Sequence, residues 1–210
     1  MKITGIKVDH TDVPLVEPFR IALGVITHSR SAIVTIETDE GFVGHGEGAP
    51  AILISGESLA GTTDVIKAFE KQLIGVDPCD LEKVYWIMDR EAAHSGSAKC
   101  AIDMACYDLL GKKAGLPVYK LLGGNQNYMV TDMTVGIDTP EIMAAKAKRH
   151  VEAGFDTIKT KVGTTFDEDF ARVKAIREAV GSNVKIRLDA NQGWNAKDAV
   201  RLIDRLNEFD

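Results

Sequence analysis

The chain has 210 residues, a formal net charge of −6, and 27% charged against 45% hydrophobic residues, the make-up of a globular protein with one large or two smaller cores. A mildly acidic chain without a basic tract argues against nucleic acid as a partner, because phosphate binding rests on clustered Lys and Arg. Cys79, Cys100 and Cys106 are an odd number without Cys-x-x-Cys spacing, so neither a disulfide framework nor a zinc knuckle is expected, and a reducing cytoplasm fits best.

The N-terminal MKITGIKVDH alternates apolar and polar residues instead of showing the apolar core of a signal peptide, and no run reaches membrane-spanning length. The mature chain is expected to start at Met1 and to have no membrane partner. KITGIKVDHTDV reads as a strand, and SAIVTIETDEGFVGHGEG as two strands around the turn signal Asp39-Glu40-Gly41. Between them, LVEPFRIALGVITHSRS has little periodicity and is bracketed by Pro14, Pro18 and Ser31, which predicts a long loop of the kind that is often functional. Helical patterns follow near 58–73, 80–91 and 97–114. In the last, Ser97 is the expected cap, Ala101, Ile102, Ala105 and Leu109 form the apolar stripe, and Gly115 is the stop. These elements make an α+β module over 1–125.

From 126 to 210 strand and helix alternate: strand VTDMTVGI, helix 139–153, strand TIKTKV, helix 167–180, strand VKIRLDA and a helix from Asn195. Thr139-Pro140-Glu141 is a good helix start. A repeat of about thirty residues implies parallel strands with right-handed crossovers, which opens either a three-layer sheet or an eight-fold barrel.

Active sites of such folds sit at the carboxyl ends of the strands. In TIKTKV, Lys159 and Lys161 share one face while Ile158, Thr160 and Val162 take the other. An edge strand would use such lysines as aggregation guards, a reading that the following helix and the flanking parallel strands make the weaker of the two. Two ammonium groups in one interior repel, and burial disfavours their charge, so one of them suits the role of a base. The third strand ends in Asp189, with Asn191 two residues on, either a turn-making Asx residue or a ligand for a hard cation such as Mg2+. A divalent ion beside a lysine base suits removal of a proton next to a carboxylate, because the metal takes charge that develops on the enolate oxygens.

The ordered set Lys-Thr-Lys, Asp-Ala-Asn-Gln-Gly-Trp, PFRIALG, GHGEGAP, AIDMACYDLLGKKAGLPVYKLLGG and TDMTVGIDTPEIM resembles the enolase superfamily, in its muconate-lactonising subgroup, and is most like the dipeptide epimerases. The resemblance implies an α+β capping domain followed by a partial (β/α)8 (TIM-type) barrel. It implies an Mg2+-dependent dipeptide epimerase working by 1,1-proton transfer. Lys161 would be the general acid/base, Lys159 would tune it and help neutralise the substrate carboxylate, and Asp189 would be an Mg2+ ligand supported by Asn191. Loop 19–26 with Phe19, Gly24 and Ile26, segment 50–56 with Ile54, and Thr134 would bind and select the small-molecule substrate. Gly24 stands where epimerases of acidic dipeptides carry arginine, which argues against an acidic side chain. Muconate cycloisomerase or o-succinylbenzoate synthase chemistry on the same half-site is the alternative, and a non-catalytic fragment serving as an interaction module is another. A homo-oligomer is compatible with the likeness.

His28, His45 and His94 lie on different elements without ligand spacing. His45 and Glu47 are read as supports of the capping domain, and Trp194 as a packing residue. The resemblance also implies two further acidic ligands, an opposite-face lysine and a substrate-gripping Asp-x-Asp, all at later strand ends beyond residue 210. The isolated chain, of 22.8 kDa, is therefore expected to be inactive, and detectable turnover by a purified polypeptide of that intact mass would overturn this expectation.

Overall fold

Three strands open the fold. The computed structural model, which describes residues 1–209, shows β1 (Ile3–Ile21), β2 (Gly24–Thr38) and β3 (Val43–Gly48) in one sheet in that order. β2 and β3 pair antiparallel across the expected turn, with Ala32 opposite Gly48 and Glu37 opposite Val43. Helices α1 (Ile52–Ser55), α2 (Leu59–Leu73), α3 (Leu81–Glu91), α4 (Gly96–Ala114) and α5 (Val118–Leu121) follow. Then come β4 (Met133–Val135), α6 (Pro140–Glu152), β5 (Thr157–Lys161), α7 (Phe166–Val180), β6 (Lys185–Asp189) and α8 (Ala196–Leu206), with a short 3-10 turn after it. The chain divides into one unit of Met1–Pro14 and His28–Asn127 and another of Leu15–Thr27 and Tyr128–Asp210. No helix of the described residues is long and apolar enough to cross a membrane.

The predicted loop at 15–31 is instead the distal part of a two-stranded ribbon, β1 and β2 continuing to either side of Ala22-Leu23. Two physical reasons hid it. No side chain is buried between Ile6 and Ile21, so there is no alternation to read. β1 is also an edge strand, where Pro14 and Pro18 need not cost a ladder bond.

The first unit is held by the close approach of α4 to β3. Along Val43–Gly48 burial alternates, and Gly44, Gly46 and Gly48 face inward. A β-carbon on Gly46 would lie 1.9 Å from the Ala101 carbonyl oxygen, and one on Gly44 would lie 2.4 Å from that of Ala105. Backbone therefore rests on backbone, and α4 answers with small residues, Ala98, Ala101 and Ala105, on the same side. Ile3, Val34, Ile36, Phe69, Leu73, Val84, Met88, Ile102 and Leu109 complete the apolar core. Ser97 is not the cap expected of it. Ser95 occupies that position at φ +49° without a side-chain cap bond, and Ser97 donates its N–H and hydroxyl to Glu57 at 3.0 and 2.8 Å.

In the second unit β4, β5 and β6 form a parallel sheet in that order. Thr139 caps α6 ahead of Pro140, and Thr165 and Asn195 cap α7 and α8. Val135, Met143, Ala147, Ile158 and Ile176 bury the helix-facing side of the sheet, and Val162, Val173, Leu202 and Leu206 form a second cluster. The ribbon segment of this unit is tied to it by Ile137 N–H donating to Arg20 O at 2.9 Å and by a Lys146–Glu17 ion pair at 3.1 Å.

Gly46→Ala forces a methyl group into the α4 backbone, and overpacking of this kind destabilises by about 1–3 kcal/mol. The expected result is a fall in the urea midpoint of the first unit at unchanged slope.

Candidate active site at the ends of β5 and β6

Parallel register decides which side chains meet. Thr134 stands opposite Lys159, Lys159 opposite Arg187, and Lys161 opposite Asp189. Because alternate residues of a strand share a face, Thr134, Lys159, Lys161, Arg187 and Asp189 belong to the side away from Ile158 and its helices. Lys159 and Lys161 thus point the same way, as the spacing predicts, and they do so toward one acceptor. Lys161 Nζ lies 2.7 Å and Lys159 Nζ 3.0 Å from the same oxygen, Asp189 Oδ2.

The three groups are not equally wet. The Lys161 side chain is 9% exposed, against 34% for Lys159 and 28% for Asp189. The carboxylate between the two ammonium groups offsets the repulsion that sequence spacing alone would leave between them. The Lys161 ammonium, seconded by Lys159 and the Asn191 N–H, holds the Asp189 carboxyl far below the usual carboxylate range against the opposing effect of partial burial. Asp189 Oδ1 accepts the Asn191 N–H at 3.0 Å, so Asp189 is a turn-maker as well as an ion-pair partner. Asn191 and Gln192 follow at φ +44° and +65°, a left-handed pair that turns the chain sharply after the strand.

The other predicted residues divide into two sets. Thr134 is half-buried on the shared face, and the Phe19 ring lies 5.9 Å from Lys161 Nζ, within cation–π range. Gly24, at φ +152°, and the exposed Ile26 belong, like Phe19, to the ribbon segment of the second unit. Ile54 is an exposed residue of α1 in the first unit.

A hard cation asks for oxygen donors. This chain offers the Asp189 carboxylate, and the Asn191 Oδ1 is buried without a hydrogen-bond partner. Among the described residues no three His, Cys, Asp or Glu side chains gather as a metal-holding group. The donors fit a share of an oxygen-lined site, namely one carboxylate ligand with its support.

Sequence reasoning missed several polar groups here. Arg187 pairs with Asp132 at 2.9 Å on the lysine face, and the Arg–Leu–Asp alternation could have found it. Trp194 is more than a packing residue, because its indole N–H donates to Asp169 at 2.8 Å. Asp169 itself went unnoticed. Its signal was the stripe it shares with Arg172, Val173 and Ile176, all buried, a spacing that puts a carboxylate on the inward face of α7.

The contact between Lys161 and Asp189 is measurable. A double-mutant cycle of Lys161→Met with Asp189→Ala is expected to show about 1–3 kcal/mol of coupling in urea unfolding, and coupling indistinguishable from zero would mean the pair is not formed.

A family model for the mandelate racemase / muconate lactonizing enzyme N-terminal domain matches residues 3–123, and one for the enolase C-terminal domain-like family matches residues 142–210. The chain is 54% identical over 209 residues to a hydrophobic dipeptide epimerase of Enterococcus faecalis, covering 100% of this chain and 59% of that protein. It is 41% identical over 214 residues to an N-succinyl-L-Arg/Lys racemase of Bacillus cereus, covering 99% and 58%. Among solved structures, a dipeptide epimerase of Enterococcus faecalis complexed with Mg and L-Leu-L-Tyr matches with a TM-score of 0.98 at 54% identity, covering 100% of this chain and 59% of that one. The chain thus spans less than two thirds of the length of these relatives.

Proposed function

Since the chain belongs to the mandelate racemase/muconate lactonizing enzyme family of the enolase superfamily, we propose that it supplies the capping domain and the first three strands of an Mg2+-dependent dipeptide epimerase. The observation that carries this reading is the convergence of Lys159 and Lys161 on one oxygen of Asp189 at adjacent strand ends. The likeness to a hydrophobic dipeptide epimerase and the glycine at position 24 support a dipeptide with apolar side chains as the substrate.

The α-proton of a carboxylate is a very weak acid, so the enzyme must hold a base on it and stabilise the charge that its loss creates. Lys161 in its uncharged form takes the proton. The electron pair passes into the substrate carboxylate as an enolate, and Lys161 becomes an ammonium group. Lys159, beside it and more exposed, supplies a positive charge for the carboxylate oxygens. Asp189 is the carboxylate that would hold Mg2+, with Asn191 supporting it, and the ion when bound stabilises the enolate charge. Reprotonation on the opposite face, by the protonated form of a second acid/base group from a further part of the polypeptide, gives the epimer. Phe19, near Lys161, can shield the proton in transit from water.

This reading is tested on the full-length polypeptide that carries the chain, by following α-proton exchange in D2O across a library of L,L-dipeptides with Mg2+. Exchange at the C-terminal residue of apolar dipeptides is expected, and Lys161→Met should lower it about 10²–10⁴-fold. Turnover of a muconate or an o-succinylbenzoate precursor without dipeptide exchange would replace the epimerase reading with its cycloisomerase or dehydratase relatives.

A further inference from the structure

The carboxylate of Asp169 takes no part in the chemistry above, yet it is wholly buried, at 0% exposure. Its five donors come from three places. Gly163 N–H and Thr164 N–H reach it at 2.8 and 3.1 Å and the Thr164 hydroxyl at 3.2 Å, from the loop after β5. The Trp194 indole N–H reaches it at 2.8 Å from the loop after β6. Arg172 reaches it at 2.9 Å from the next turn of α7. Arg172 is itself buried and donates from Nε to the Asp138 carbonyl at 3.0 Å, in the loop after β4. The ion pair therefore joins the loops that follow all three strands.

These loops leave little clearance. A β-carbon on Gly163, at φ +109°, would lie 2.2 Å from the Ala190 carbonyl oxygen, and one on Gly193 would lie 2.2 Å from that of Gly163. The loop that begins after Lys161 is thus pressed, backbone to backbone, on the loop that begins after Asp189. Val162 N–H also donates to the Asp189 carbonyl at 3.0 Å, so the ladder runs on past the reactive pair. A neutral side chain could not serve the same donors. An amide presents one oxygen where the carboxylate presents two, and its NH2 would face N–H groups, leaving buried donors unpaired.

We propose that Asp169, held by Arg172, is a positioning residue for the reaction: it fixes the two loops and through them the seating of Lys161 against Asp189. The inference rests on the reading of those two residues as base and metal ligand. Proton transfer is sensitive to displacements of an ångström or less, which cost on the order of 10²-fold, so a clamp two residues from the base and five from the ligand acts on rate without touching substrate.

The test uses the full-length polypeptide that carries this chain, with Asp169→Asn and, as a destabilised control from the core on the helix side of the sheet, Ile176→Val. In Asp169→Asn the Gly163 and Thr164 amides are expected to exchange with D2O at least tenfold faster, and kcat to fall about 10–100-fold with KM within threefold. The control should keep its kcat. An unchanged kcat in Asp169→Asn, or an equal fall in the control, would overturn the proposal. Should Asp169→Asn fail to fold, Trp194→Phe removes one donor and leaves the Arg172 pair intact. Faster Gly163 exchange with a kcat loss of about threefold or more is then expected, and an unchanged kcat overturns the clamp. Should the wild-type polypeptide exchange no dipeptide α-proton, the epimerase reading fails by itself. The clamp is then judged by the Lys161–Asp189 coupling measured in the Trp194→Phe background. Loss of more than half of it supports the clamp, and undiminished coupling overturns it.

Discussion

Lys161 stands opposite Asp189 in the ladder between β5 and β6, and every chemical property of the second unit depends on that register. A slip of one residue would turn the lysines toward the helices and bring Ile158 and Thr160 to the open face. The apolar residues oppose such a slip. Ile158 and Val162 are fully buried against the helices, and exposing the two would forfeit about 1.5–3 kcal/mol each. The hydrophobic pattern of β5 therefore places the ammonium groups as surely as any contact they make themselves. Ion pairing then completes what burial begins, because Lys161 is too enclosed to leave its charge without a partner.

The first unit solves a different problem with a different residue. Glycine at alternate positions of β3 lets α4 lie on the strand with its backbone in contact. The segment that contains His45 and Glu47 reads as a polar motif, but burial belongs to the glycines between them. His45 lends its backbone N–H to Asp108 at 2.9 Å, and its ring meets Thr35 across the ladder. These are supporting roles for a strand whose function is to be thin.

What could be read from sequence followed from how locally each feature is encoded. The period-two placement of Lys159 and Lys161, the alternation of strand and helix after 126, and the Thr139-Pro140 start are properties of neighbouring residues, and the structure shows each where the pattern puts it. The ribbon at 15–27 was illegible because Ile21 is its one buried side chain, so there is no alternation to read and its extended form depends on pairing that no window of sequence contains. Ser97 was misread because its partner, Glu57, lies forty residues away. Asp169 was hidden in the acidic first turn of α7, where Asp167 and Glu168 are exposed and a carboxylate ordinarily needs no explanation beyond the helix dipole.

Charge on the lysine face gives a last constraint on what can bind there. Lys159, Lys161 and Arg187 bring three positive charges, and Asp132 and Asp189 bring two negative ones through the pairs they form. Three minus two leaves one positive charge in surplus, and Lys159 is the cation that shares its partner with another. An anionic group approaching this face meets a field of the right sign and displaces only one of the two ion pairs on Asp189, which keeps Lys161 when Lys159 swings to the newcomer. A cation meets Asp189 already engaged by three donors, Lys159, Lys161 and the Asn191 N–H, and must compete for its remaining lone pairs. The face as built therefore favours an anionic group over a cation as the first arrival from solution.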